Sequence, residues 1–343
     1  QMICRALKMD LLEQVSFGDR PEYRVSKGKT LLSERFHAVE VTGLLNAVPG
    51  VNLYSQTRPR KNRIEIDKVT YFTDGTDYSR LLGRRVLGYA VQRDDENEYE
   101  ISGLVLDERD EAVEISLSAL VSADKDELVY VKDGKEEKAS VDAVKNVLYN
   151  GTAVQDYQFT DELADYEGSI VLGSSKAGGE YDVAVVTAMN TYWVERVTKM
   201  DHKIYFKNGL TFGGLPYVDA QSDSERRVTI TRDGLPASVE DIQALDVVSI
   251  IESSDGSYVS IVASSLKVEG TVDEMNDEGV SLSGEFYPLS RQYLLAVKEA
   301  EAGDEAAEIH KFRIGDSGVF YLSSDGKIAG YQGESGIEYG FLK

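Results

Sequence analysis

Cysteine and histidine are nearly absent from this chain of 343 residues, which contains one cysteine and three histidines. The single cysteine, Cys4, forms no intrachain disulfide and supplies no cysteine-built zinc site. The three histidines (His37, His202 and His310) have no spacing typical of a catalytic triad or a metal-binding triplet. The composition therefore points away from an enzyme before any motif is considered.

Long apolar runs and prolines are also scarce. No stretch of about 18 apolar residues occurs, so we expect no transmembrane helix and no insertion into a membrane. Six prolines fall below the usual proportion of about 5 %, which predicts largely uninterrupted strands. Apolar residues make up 42 % of the chain, too many for a disordered protein. At about 100–200 residues per domain, the length predicts two or three domains.

Negative charge dominates. The chain has 60 Asp and Glu against 37 Lys and Arg, a net charge of −23 and a pI near 4.6, so we expect no general affinity for nucleic acid or anionic membranes. Residues 1–93, however, carry 16 basic and 10 acidic side chains, and the acidic excess lies in the rest of the chain. In a chain that stacks on copies of itself, a basic end would meet an acidic flank of its neighbour. Alternatively, surface charge drifts between domains without a role.

Short alternations of apolar and polar residues recur from about residue 36 and predict β-strands. Seven Asp-Gly or Asn-Gly pairs separate these segments, and such pairs favour type I′ hairpin turns, whose two central residues need a positive φ. The pairs lie at 74–75, 133–134, 150–151, 208–209, 233–234, 255–256 and 325–326. The sequence therefore predicts a mainly β fold, built from several small antiparallel sheet or barrel modules in series.

Three short helical segments are expected beside the strands. Ile3, Leu7 and Leu11 lie one turn apart and predict a short amphipathic helix over the first fourteen residues. No capping residue or signal-peptide pattern precedes this helix, so we expect the chain to be cut from a longer protein. Two further helical turns are predicted after Ser140 and after Ser238, because a serine side chain caps free backbone amides.

An internal repeat supports the modular interpretation. VEVTGLL, IEIDKVTY and LLGRRVLGYAV near the start recur in outline near the end as LKVEGTV, VSLSGEFY and FRIGDSGVFYLSSDGKIAGY, and residues 244–264 resemble a further copy of the last element. Repeated small β modules are typical of scaffolding proteins. The predicted organisation is a helical end at 1–25, β module 1 at 26–125, β module 2 with one short helix at 126–225, and β module 3, which repeats the module 1 pattern, at 226–343.

The sequence also resembles a known family. QMICRAL at the start is similar to the last helix of an S-layer homology (SLH) module. The segments KTLLSERFHAVEVTGLL, RIEIDKVTY, LLGRRVLGYAV, VLYNG, GEYDVAVVTAMNTYWVERV and FRIGDSGVFYLSSDGKIAGY resemble the β-rich body attached to SLH modules in surface proteins of Firmicutes. The resemblance implies an extracellular protein of the cell surface or cell wall, whose β modules project or assemble. Only the tail of one SLH helix is present, so the wall-polysaccharide-binding residues of that module lie outside this chain.

Signatures of catalysis are missing from the sequence. It contains no G-x-S-x-G elbow, no H-E-x-x-H, no P-loop and no G-x-G-x-x-G after a strand. Sixty carboxylates offer pairs for glycoside hydrolysis, but nothing singles out one pair. Acidic loops offer oxygen ligands for Ca²⁺, and the weak candidates are Asp94, Asp95, Asp273 and Asp277. The alternative for these loops is a solvated hairpin tip, and no other cofactor is predicted.

The sharpest local charge is the basic cluster RPRKNR at 58–63. Arg58, Arg60, Lys61 and Arg63 are predicted to bind an anionic wall polymer or an acidic face of a neighbouring subunit. The alternative is an exposed charged hairpin that only prevents edge pairing of strands. No aromatic residues interleave with the cluster, so nucleic acid is not an expected partner.

Several functions are compatible with these observations. The leading hypothesis is a non-enzymatic structural protein of the bacterial cell surface, an S-layer-like or envelope-attached assembly whose partners are copies of itself or other surface proteins. One alternative is an adhesin or glycan-binding surface protein, with Tyr192 and Trp193 as the best candidates for stacking on a sugar. Another is a structural protein of a virion or extracellular appendage, and a cell-wall hydrolase comes last.

Overall fold

The computed structural model describes residues 9–14, 22–55, 57–93, 98–224, 226–301 and 312–333. Within these residues the chain forms many short strands and two α-helices, so the mainly β fold predicted from the sequence is confirmed. No helix in the described part of the chain is both long and apolar enough to span a membrane.

The strands of the first half, in chain order, are β1 (Asp10–Gln14), β2 (Tyr23–Thr30), β3 (Ala38–Val48), β4 (Val51–Asn52), β5 (Arg63–Ile66), β6 (Val69–Thr73), β7 (Arg85–Gln92), β8 (Tyr99–Leu106), β9 (Val113–Ser116), β10 (Leu120–Ala123), β11 (Glu127–Lys132), β12 (Lys135–Ser140), β13 (Asn146–Tyr149), β14 (Thr152–Val154) and β15 (Glu167–Gly173). Helix α1 (Leu31–Phe36) lies between β2 and β3.

The second half continues with β16 (Val183–Thr198), β17 (Lys203–Phe206), β18 (Tyr217–Asp219), β19 (Arg227–Arg232), β20 (Leu235–Ala237), β21 (Val247–Glu252), β22 (Tyr258–Ser264), β23 (Lys267–Met275), β24 (Gly279–Leu282), β25 (Glu285–Pro288), β26 (Ser317–Leu322) and β27 (Ile328–Gly333). Helix α2 (Arg291–Glu301) lies between β25 and β26.

The chain divides into two compact units, each assembled from segments that are not consecutive. The first contains the described residues of Gln1–Glu114, Ala143–Gln155 and Val171–Val185, and the second those of Ile115–Asp142, Asp156–Ile170 and Val186–Lys343. Strands β9, β15 and β16 each run from one unit into the other along the chain. This grouping does not set the boundaries of the consecutive modules 26–125, 126–225 and 226–343, which stay predictions.

The first unit is organised around a sheet with the strand order β4-β3-β5-β6-β8-β7, in which β3 also pairs with β7, so that the sheet closes on itself. Its interior shows the period of two expected for strands: Ile64 and Ile66 of β5 are buried, whereas Arg63 and Glu65, which alternate with them, are only partly covered. Other residues of this core include Leu44, Leu45, Val48, Val86, Ala90 and Ile101.

The second unit contains several packed sheets. Strand β16 pairs with β17 and β21, β21 pairs with β22, and β22 runs parallel to β19. A separate sheet has the order β25-β24-β23-β26-β27, and a third has the order β10-β11-β12. The indole of Trp193 on β16 is 1 % exposed and stacks on Tyr321 of β26, with ring centroids 5.2 Å apart. Aromatic stacking therefore joins β16 to the sheet that contains β26.

The Asp-Gly and Asn-Gly pairs form two kinds of turn. Asp133-Gly134, Asn150-Gly151 and Asp233-Gly234 have positive φ at both residues and connect directly paired strands, as predicted. Asn208-Gly209 also has two positive φ values but follows β17 without closing a two-residue hairpin. In the pairs at 74–75, 255–256 and 325–326 only the glycine has a positive φ, and the aspartate accepts hydrogen bonds from nearby hydroxyl or amide groups.

Two hairpins share one loop structure, which agrees with the repeat seen at residues 244–264. The β21–β22 and β26–β27 hairpins are both closed by Ser-Ser-Asp-Gly. In the first, Ser253 Oγ accepts a hydrogen bond from the amide of Tyr258 at 2.9 Å. In the second, Ser323 Oγ accepts one from the amide of Lys327 at 3.0 Å. The loops have the same length between their strands, and although the bonded amide lies one residue further along in the first hairpin, the serine terminates both hairpins in the same way.

Two helix predictions require correction. Residues 1–8 lie outside the described residues, but Asp10–Gln14, expected to be helical, is strand β1, which pairs with β2. The segment after Ser140 forms a turn instead of a helix, because the amide of Val141 donates to the carbonyl of Asp126 and continues the hairpin pairing. The turn after Ser238 is confirmed, since its 3₁₀ turn carries a capping box with Asp241.

Candidate interaction surface

The basic loop, residues 57–62 between β4 and β5, has a fixed backbone. The carbonyl of Pro59 accepts a hydrogen bond from Gly50, that of Arg60 from Arg63, and that of Asn62 from Thr73, at 3.0–3.1 Å. Asn62 takes the left-handed conformation, with φ 65°, which asparagine tolerates better than most residues. The loop therefore presents its side chains from a fixed position.

Three of the four predicted interaction residues form this basic loop surface. Arg58, Arg60 and Lys61 are exposed, and none of the ion pairs found within the described residues involves them. Their charges are thus available to an outside partner.

Arg63, the fourth predicted residue, has a different environment. Its Cζ lies 4.5 Å from the ring centroid of Phe72, and its Nη2 lies 4.0 Å from Glu98 Oε1. Arg93 contacts the same ring at 4.4 Å and pairs with Glu100 at 3.0 Å. Sequence proximity grouped Arg63 with the basic loop, but strand pairing between β5 and β6 places it beside an aromatic ring and an acidic strand instead.

An acidic tip occurs in the second unit, where β23 turns into β24. It consists of four exposed carboxylates, Asp273, Glu274, Asp277 and Glu278. Asn276 Oδ1 accepts hydrogen bonds from the amides of Glu278 and Gly279 at 2.9 and 2.8 Å, so this turn is also fixed. Within the described residues, none of the four carboxylates takes part in an ion pair.

The predicted calcium ligands do not form a metal-binding cluster in the described part of the chain. Asp94 and Asp95 lie outside the described residues. Asp273 and Asp277 belong to the acidic tip, and Asp273 Oδ2 already accepts a hydrogen bond from the amide of Gly284 at 2.9 Å. Among the residues that the structure describes, no group of three or more His, Cys, Asp or Glu side chains is arranged to hold a metal ion.

The predicted sugar-stacking residues are buried, so the proposed role of these two rings is wrong. Tyr192 is 2 % exposed, stacks on Phe206 with centroids 4.1 Å apart, and donates its hydroxyl hydrogen to the carbonyl of Thr211. Burial raises the pKa of Tyr192 well above its ordinary value. Trp193 is covered by Tyr321, and the ammonium of Lys207 lies 4.6 Å from its ring. Successive residues of β16 face opposite sides, and both sides are covered.

A buried polar network that sequence reasoning missed lies in the second unit. The carboxylate of Glu167, 2 % exposed, accepts hydrogen bonds from the Thr191 hydroxyl at 2.8 Å and the Arg291 amide at 2.9 Å, and lies 3.5 Å from Lys327 Nζ. Gln292 accepts from the Thr191 amide and donates to Asn190 Oδ1. These groups tie α2 and the β26–β27 hairpin to β16. Thr191 and Glu167 are 24 residues apart, and the groups of α2 are more than 100 residues from their partners on β15 and β16, so no local pattern could indicate this network.

No family model matches the chain, and a search of curated proteins finds no match.

Proposed function

We propose that this chain is a structural component of a bacterial cell-surface assembly, in which the basic loop of one copy contacts the acidic tip of the next. The observation that supports this proposal is that two fixed turns of the same chain carry exposed charges of opposite sign. Arg58, Arg60 and Lys61 lie in the first unit, and Asp273, Glu274, Asp277 and Glu278 lie in the second. Because the two surfaces differ, the contact is heterologous, and repeating it produces an open array unless the rotation between copies closes a ring.

The energy of such a contact comes from several weak pairs. A single exposed ion pair contributes only about 0–1 kcal/mol, so one pair does not hold two copies together. Arginine and carboxylate groups form bidentate, charge-assisted hydrogen bonds, and the fixed backbones of both turns lower the entropy lost on association. The contact between two copies is therefore weak, and an array is stabilised by the sum of many such contacts.

Two further observations support a structural role at the cell surface. The sequence resembles the β-rich bodies of SLH-bearing surface proteins, which favours that location. The network around Glu167 and the stacking of Trp193 on Tyr321 fix the sheets of the second unit against one another. A subunit that transmits load through an array needs such internal rigidity.

A charge-reversal experiment tests the proposal. The first variant reverses the basic loop (R58E/R60E/K61E), and the second reverses the acidic tip (D273K/E274K/D277K/E278K). We expect the wild-type chain to form oligomers in sedimentation velocity, whereas each variant alone stays monomeric because its two surfaces carry the same sign. An equimolar mixture of the variants restores both contacts and should assemble again, as alternating copies.

The matched control is K132E/K135E/K199E, which reverses three exposed lysines and changes the net charge by the same amount as R58E/R60E/K61E. It should assemble like the wild type. A wild-type chain that stays monomeric, or a mixture that does not assemble, would contradict the proposal. If the wild type instead binds purified anionic wall polymer through Arg58, Arg60 and Lys61 without oligomerising, these residues attach the protein to the wall.

A further inference from the structure

A cavity of about 550 Å³ lies in the second unit beside helix α2. Its apolar walls are formed by Leu289, Leu294, Val297 and Phe312, and its charged groups by Arg291, Lys298, Arg313 and Asp277. This volume falls in the range of about 300–1,000 Å³ that is typical of small-molecule sites. Three cations against one carboxylate are unusual in a protein whose net charge is −23.

Arg291 is held in place at the wall of this cavity. Its Nη2 lies 3.3 Å from Asp165 Oδ1, and its backbone amide donates to Glu167. Its Nε is buried and has no hydrogen-bond acceptor among the described residues. A buried donor without an acceptor is energetically costly. An anionic ligand that reaches this nitrogen from the cavity would remove the cost.

Lys298 and Arg313 contribute exposed positive charge to the lining of the cavity. Neither forms an ion pair within the described part of the chain, and both are exposed. Lys298 is near the end of α2, and Arg313 follows the buried Phe312 directly. The two cations therefore belong to different segments that meet at the cavity.

The apolar part of the cavity has a rigid aromatic wall. Phe312 is buried and stacks on Tyr293 of α2, with ring centroids 5.6 Å apart and planes 7° from parallel. Phe320 and Tyr331 contact Phe312 edge to face, at 5.3 Å each. Rings held from several sides do not rotate away to fill the cavity, so the space stays available to an apolar group.

We propose that this cavity binds an amphipathic anion, a small molecule with one carboxylate or similar anionic group attached to an apolar body. The anionic group pairs with Arg291, Lys298 and Arg313, and the apolar body lies against Phe312, Leu294 and Val297. A neutral apolar molecule brings no anionic group to Arg291, Lys298 and Arg313, and a polyanion without an apolar part leaves the aromatic wall in water. The cavity shares Asp277 with the acidic tip, but binding of an anion by Arg291, Lys298 and Arg313 does not require the contact between the basic loop and the acidic tip.

The test measures binding of decanoate to the purified chain by isothermal titration calorimetry, with decan-1-ol as the neutral counterpart. We expect saturable decanoate binding and weaker decanol binding. K298E/R313E should weaken decanoate binding by about tenfold or more, since a charge-assisted hydrogen bond contributes about 1.5–3 kcal/mol. Both residues are exposed, so this variant should unfold at the wild-type temperature.

Two further variants make the result decisive. R227E/K267E reverses two exposed cations that do not line the cavity and should bind decanoate like the wild type. V297W fills the cavity from α2 and should abolish binding of both probes. The proposal is overturned if the wild type does not bind decanoate saturably, if decanol binds as tightly as decanoate, or if K298E/R313E binds like R227E/K267E.

Discussion

Gly330 on β27 is a residue whose replacement has a direct steric consequence. A Cβ built at this position collides with the indole of Trp193, which is buried and stacked on Tyr321. Position 330 therefore needs glycine because of a close approach, since its φ is not positive. The side chain that requires the glycine is 137 residues away in sequence, on β16.

We expect Gly330→Ala to lower the free energy of unfolding by about 1–3 kcal/mol, because overpacking displaces the ring or the strand. Equilibrium urea unfolding measures the loss, and the emission of the only tryptophan in the chain reports its local environment. Gly103→Ala is the matched control, since nothing lies within 4 Å of a Cβ there and its φ is not positive. Equal stability of the two variants would contradict the steric argument.

At the scale of elements, the β19–β20 hairpin shows how one turn residue combines conformation with charge. Asp233 occupies the turn with φ 51°. Its carboxylate accepts hydrogen bonds from the amide and the hydroxyl of Ser265, each at 2.8 Å. The backbone hydrogen bond from Ser265 is the main cause that lowers the pKa of Asp233 below its ordinary value. The turn thus also fixes the chain that leaves β22.

Because the pKa of Asp233 is lower in the folded state, the contribution of its carboxylate to the free energy of unfolding depends on pH. The stabilisation is fully present above the unfolded-state pKa of about 3.9 and is lost as the pH falls through the folded-state value. We expect Asp233→Asn, which keeps the left-handed conformation, to flatten the loss of stability on the acid side. Urea unfolding of the variant and the wild type between about pH 2 and pH 6 measures how the free energy of unfolding of each falls with pH. Identical pH profiles for variant and wild type would show that Asp233 does not contribute.

Local sequence patterns predicted a turn or strand correctly where its conformation depends only on its own residues. Asp133-Gly134 and Asp233-Gly234 form the expected hairpins because both residues of a type I′ turn need positive φ. The same conformation at Asp67-Lys68, which joins β5 to β6, carried no such signal. There Asp67 Oδ1 accepts a hydrogen bond from the Leu44 amide, so a contact from β3, distant in sequence, supports the turn.

At the scale of the whole molecule, the distribution of charge is the property that matters for assembly. The proposed contact joins exposed groups, so it should be screened by salt, with a Debye length of about 10 Å at 0.1 M and about 3 Å at 1 M. We expect oligomers of the wild-type chain to dissociate between about 0.05 M and about 0.5 M NaCl. Sedimentation velocity across this series measures the dissociation.

Ammonium sulfate separates this explanation from an apolar contact. Sulfate strengthens the burial of apolar surface while it screens exposed charges. Dissociation in both salts supports the charged contact, whereas oligomers that become more stable as sulfate is added would show that apolar surfaces hold the copies together.

The amino-acid sequence by itself determined the class of fold, because strand alternation and turn propensity are local: a residue pair such as Asp133-Gly134 needs no distant partner. It also determined the basic loop, since Arg58, Arg60 and Lys61 are adjacent along the chain and a short loop keeps them together. Only the tertiary structure determined that Arg63 lies over the ring of Phe72 and not with the basic loop. It also determined that Tyr192 and Trp193 are buried. The same holds for Arg291, Lys298 and Arg313, which line one cavity. Such outcomes depend on which strands pair and which faces are covered, and those contacts join residues that are far apart in the sequence.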